Sequence, residues 1–101
     1  MPQHIQLNRA CLMGQREEVR RLMAQKPDLH QTIAVMDSAT GKTNRSTVFQ
    51  SLLKRGKNMT GSRGDAFRAC LIVILESGFK PNASEQEYMK ENYPDLVQFI
   101  R

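Results

Sequence analysis

Tryptophan is absent from this chain of 101 residues, and the only aromatic side chains are four Phe and two Tyr. So few ring faces argue against a surface that stacks on single-stranded bases. The two histidines, His4 and His30, have no Cys or carboxylate at ligand spacing. A metal site needs three or four converging ligands, so neither a metal nor a cofactor is expected. Two cysteines are too few for a disulfide framework. Cys11 lies between Ala10 and Leu12, and Cys70 between Ala69 and Leu71. Both read as buried free thiols, raised in pKa and poor as nucleophiles. The longest apolar run, Ala69–Leu75, has seven residues, far short of the ~20 of a membrane span. No basic-then-apolar leader pattern opens the chain. A cytoplasmic protein is expected, or one delivered into a host cytosol by specialised export, with no membrane partner. Ser, His and Asp are present but nothing arranges them as a triad, so no enzyme is expected.

Positive charge is what the chain has in excess. The net charge is +5, and residues 37–68 hold seven basic side chains against two acidic ones. The seven are Lys42, Arg45, Lys54, Arg55, Lys57, Arg63 and Arg68. Residues 69–101 carry five acidic side chains against three basic ones. A basic middle third reads either as a solvated loop that keeps a small protein soluble, or as a docking surface for an acidic protein partner or a phosphate backbone.

Hydrophobic spacing predicts helices near 5–13, 16–25, 46–55, 65–77, 84–91 and 94–100. Gly14 and Pro27 end the first two, and Glu17 and Glu18 suit the positive end of the second. Gln31–Met36 is β-branched and apolar, and 37–44 is turn-rich, which predicts an extended segment and a loop or hairpin tip. Ser46 or Thr47 caps the third helix and Gly56 ends it. Residues 57–64 read as a mobile loop, with Asp65 as the next N-cap. Ser84 with Glu87 reads as a capping box. The expected core is Leu7, Ala10, Val19, Leu22, Phe49, Leu52, Phe67, Leu71, Ile74, Leu75, Met89 and Val97.

Two stretches align without a gap. Val19-Arg20-Arg21-Leu22-Met23-Ala24-Gln25-Lys26-Pro27-Asp28-Leu29-His30 matches Leu71-Ile72-Val73-Ile74-Leu75-Glu76-Ser77-Gly78-Phe79-Lys80-Pro81-Asn82 in its apolar pattern, polar turn and short extended exit. Leu7, Ala10 and Gly14, then Pro27-Asp28-Leu29, fall on the pattern of a repeat about 33 residues long, made of a β-turn and two helices. Thr47-Val48-Phe49 with Gly56, then Glu76-Ser77-Gly78-Phe79-Lys80-Pro81-Asn82, fall on it again. Tyr88–Val97 resembles a third unit. The chain thus resembles the ankyrin-repeat family. Its departures are a missing Thr-Pro-Leu-His tetrapeptide and a spacing of 42 between Leu7 and Phe49.

The resemblance implies an all-α fold of stacked helix-turn-helix pairs, one domain over 1–101 with units near 3–30, 38–82 and 83–101. It also implies a non-enzymatic protein-interaction module, such as a small adaptor or a pathogen- or phage-encoded binder. The family binds through hairpin tips and first helices. The expected contact residues are therefore Lys42, Arg45, Lys54, Arg55, Lys57 and Arg63 in the loops, with Arg9 and Met13 on the first helix. The partner would be a protein with an acidic surface. The rival reading is a basic nucleic-acid-binding protein using the same loops. Gly41-Lys42-Thr43 lacks the upstream glycine of a phosphate loop. In Arg63-Gly64-Asp65 the aspartate has the simpler role of helix cap.

Overall fold

A computed structural model describes residues 3–36 and 39–100, and the side chains from Ile5 onward. The order is α1 (Gln3–Leu12), α2 (Arg16–Ala24), β1 (Thr32–Met36), β2 (Thr43–Thr47), α3 (Val48–Lys57), α4 (Gly61–Glu76), α5 (Ala83–Asn92) and a 3-10 helix, Pro94–Phe99.

α1 turns into α2 at Gly14, whose φ of +69° is a left-handed conformation that glycine adopts without penalty. Glu17 and Glu18 sit in the first turn of α2 and pair with Arg20 and Arg21, three residues on. Val19, Leu22 and Met23 form its buried stripe. Lys26 and Pro27 then lead the chain away, and Leu29 is buried before the hairpin begins.

β1 and β2 pair antiparallel with Val35 opposite Asn44 and Ala34 opposite Arg45. The ladder continues past Thr47 into the helix, where Val48 N–H donates to the Gln31 carbonyl at 3.0 Å and Phe49 N–H to the Leu29 carbonyl at 3.2 Å. Thr47 is the N-cap of α3, accepting from the Gln50 amide at 3.1 Å.

α4 is the most enclosed helix, with Phe67, Cys70, Leu71, Val73, Ile74 and Leu75 all buried. α2 and α1 pack on α4, α1 also touches α3, α3 packs on α5, and the 3-10 helix closes against α4 and α5. Of the expected core, eleven residues are buried and Val97 is half-buried.

Several expectations need correction. The fold is not all-α: a two-stranded antiparallel sheet accompanies six helical segments, and extents of 34 × 31 × 28 Å give no elongated solenoid. β2, Thr-Asn-Arg-Ser-Thr, is almost wholly polar, because all but its last two residues stand in water. Residues 57–64 are not a loop, since α3 runs to Lys57 and α4 starts at Gly61. Gly56 does not end α3 but lies buried within it. A Cβ there would fall 2.3 Å from a ring carbon of Phe67 and 2.9 Å from the Tyr93 hydroxyl. Asp65 is inside α4 rather than at its cap. The capping box of α5 is Asn82 with Glu85, two residues earlier than Ser84 with Glu87.

Candidate functional site

Three adjoining concavities lie between the hairpin, α1, α3 and the start of α4, and all three include Arg55. The first, about 470 Å³, is walled by Val35, Met36 and Asn44 of the hairpin and by Lys54 and Asn58. The second, about 420 Å³, is bounded by Leu12, Met59 and Arg63. The third, about 330 Å³, lies against the outer side of α1, with Ile5, Asn8, Arg9, Leu12 and Met13. Sharing Arg55, they form one trough.

Its chemistry is mixed. Ile5, Met13 and Met36 are 43%, 64% and 70% exposed, and they are the large hydrophobic side chains left open to water among the described residues. All three line this trough. Single exposed apolar residues need no explanation, but several on one concave surface mark an interaction site. The Asn8 side-chain oxygen in its wall is buried without a partner.

The cations here are Arg9, Lys54, Arg55 and Arg63, and no carboxylate lines any of the three concavities among the described residues. The ion pairs lie elsewhere. Arg20 and Arg21 are matched on α2, and Arg68 lies 3.3 Å from Asp95. The Glu18–Arg21 pair holds the carboxyl below its ordinary pKa and raises the guanidinium.

Of the residues expected from the sequence, Arg9, Met13, Lys54, Arg55 and Arg63 converge on the trough. Three others do not. Arg45 shares its side of the hairpin with Ala34 and donates to the Thr32 hydroxyl at 3.1 Å, on the face opposite Val35 and Asn44. Lys42 lies exposed before β2, its amide bonded to Thr40 Oγ1. Lys57 reaches back over the Tyr88 ring, 6.0 Å from its centroid. Sequence reading missed Ile5, Leu12, Val35, Met36 and Met59. Met36 carried a signal, being a large apolar side chain at the end of a strand that leads into a polar turn.

Elsewhere the chemistry is structural. Cys11 and Cys70 are both buried and free. Cys11 donates to the Cys70 sulfur, which raises its own pKa and, helped by Arg16, lowers that of Cys70. The expectation of a raised thiol is thus corrected for Cys70. Glu85 is fully buried, its carboxylate bonded to the Thr47 hydroxyl and the Asn82 amide, with His30 Nδ1 at 3.9 Å. No group of three metal-binding side chains converges among the described residues, whose helices are also not long and apolar enough to cross a membrane. The side chain of His4 and all of Asp37 lie outside the described residues.

Compared with known protein families, curated proteins and solved structures, the chain shows no match.

Proposed function

We propose that this protein is a non-enzymatic interaction module that docks another protein in the trough centred on Arg55. The observation that carries this reading is the coincidence of exposed Ile5, Met13 and Met36 with four cations that have no ion-pair partner among the described residues, on one concave surface. Interfaces join apolar anchors to a polar rim and favour Arg and Met, and this surface has that composition. Its walls come from the hairpin, α1, α3 and the start of α4, so several elements converge on it. A nucleic-acid interface is less favoured. Methionines on its walls give bases little to stack on, and the cations Lys42, Arg45 and Lys57 point to other faces.

The test is capture of partners by two variants. One replaces Arg9, Lys54, Arg55 and Arg63 with Ser. The other replaces Lys26, Lys80 and Lys90, which lie outside the trough. A partner retained by wild type and the second variant but lost by the first supports the reading. Equal retention by all three overturns it. So does a gel shift on generic duplex DNA that survives moderate salt.

A further inference from the structure

We infer that the occupant of the trough is an acidic amphipathic helix, an inference that rests on the docking function proposed above. Charge settles the sign. Arg9, Lys54, Arg55 and Arg63 face the trough, and no described carboxylate lines it. An incoming basic or neutral segment would leave these cations uncompensated as water is excluded, while carboxylates would be met by charge-assisted bonds.

The layout of apolar groups settles the periodicity. Val35 and Met36 line one concavity with Lys54; Ile5, Leu12 and Met13 line another; and Arg55 is common to both. A ligand must therefore present separate apolar anchors with acidic groups beside them. A helix with apolar residues at three- and four-residue spacing does this, with its carboxylates along the flanks of that stripe.

The floor settles the backbone. It is built from side chains of α1 and α3, whose main-chain groups are already used within the helices. An extended ligand could pair its backbone only by lying along an edge of the hairpin, whereas a helix satisfies its own N–H and C=O groups wherever it lies. Methionines suit this role, because their unbranched side chains repack around differing anchors. Four turns, about 14 residues and about 22 Å long, fit within the 34 Å long dimension of the protein.

Fluorescence anisotropy with labelled synthetic peptides of about that length tests this. The first peptide has Leu on one face and Glu on its flanks. The second has every Glu replaced by Gln. The third is the first with two central residues outside its Leu and Glu positions replaced by proline, and a duplex DNA serves as competitor. The first peptide should bind. The Gln and proline peptides should bind at least about tenfold more weakly, as should the first peptide to Arg55→Ser or Met13→Ser, a loss on the scale of one charge-assisted or anchoring contact. Lys90→Ser should bind unchanged.

Absence of binding by the first peptide, or equal binding of the Gln peptide, overturns the acidic assignment. Equal binding of the proline peptide overturns the helix, and displacement by duplex DNA at equal concentration overturns the class of partner. If the peptides fail while a captured protein still depends on the trough, the occupant is wrong and the docking function stands. If trough dependence is also lost, both fall.

Discussion

The Thr47 hydroxyl serves two helices at once. Its oxygen accepts from the Gln50 amide to cap α3, and its proton goes to the buried carboxylate of Glu85 at the start of α5. One side chain therefore joins the hairpin, the third helix and the fifth. Thr47→Val keeps the shape and removes both bonds. The loss should be about 1 kcal/mol for the cap and about 1–3 kcal/mol for a buried carboxylate short of a donor. Thr47→Ser should be nearly neutral. Urea unfolding of the two variants checks this, and equal midpoints would count against the shared role.

Gly56→Ala inverts the usual helix preference. Alanine in a helix interior is ordinarily worth up to about 1 kcal/mol over glycine. Here the added methyl would meet Phe67 and the Tyr93 hydroxyl, and neither has room to withdraw because both residues are fully buried. Net destabilisation of about 1–3 kcal/mol is expected. A thermal melt unchanged or raised by this substitution would disprove the close packing.

Tyr93 should set the alkaline limit of the fold. Its hydroxyl donates to the Leu53 carbonyl at 2.6 Å. Burial, with help from Tyr88, pushes the phenol up to about 12, against the pull of Arg68. An unfolded tyrosine titrates near 10, so between about 10 and 12 the folded chain holds a proton that the unfolded chain releases. The contribution to stability is complete below pH 10 and falls through that window. Tyr93→Phe should be less stable at neutral pH but should lose less on going to pH ~11. Parallel losses in the two proteins would refute the assignment.

The helices were legible because their signals were local. Glu17, Glu18 and Pro27 framed α2, and Thr47 was recognisable as a cap before any packing was known. Where the sequence misled, tertiary contact decided. Asn82 and Ser84 each precede a glutamate by three residues, so both spell a capping box. Glu85 is the one buried against Thr47, and that selects Asn82. Gly61-Ser62-Arg63-Gly64 is poor helix composition and read as a loop. Gly64 is nevertheless helical and buried against the Met59 carbonyl, 2.6 Å from where a Cβ would stand. The basic residues of the candidate site were visible as charge, but the face each one occupies was not. Arg45 and Lys54 look alike in a charge count, yet Lys54 lines the trough while Arg45 bonds to the Thr32 hydroxyl across the hairpin.

The cysteines carry a further test. Buried within the packed helices, neither Cys11 nor Cys70 should react with a thiol reagent in the folded protein, although Cys70 is held below the ordinary thiol range. Both should label at a rate that rises with denaturant in step with unfolding. Rapid labelling of Cys70 in the native state would mean that α1 lifts readily from α4.

The alternation of the hairpin makes its turn a phase setting. Side chains alternate faces along each strand, so with β1 held in place a pairing shifted by one would set Arg45 opposite Val35 and turn Asn44 to the other face. Deleting or inserting one residue between Met36 and Thr43 would thus rewrite one wall of the trough without altering a single residue in it. Under the docking function proposed above, the length of that turn sets which hairpin side chains an occupant of the trough would meet.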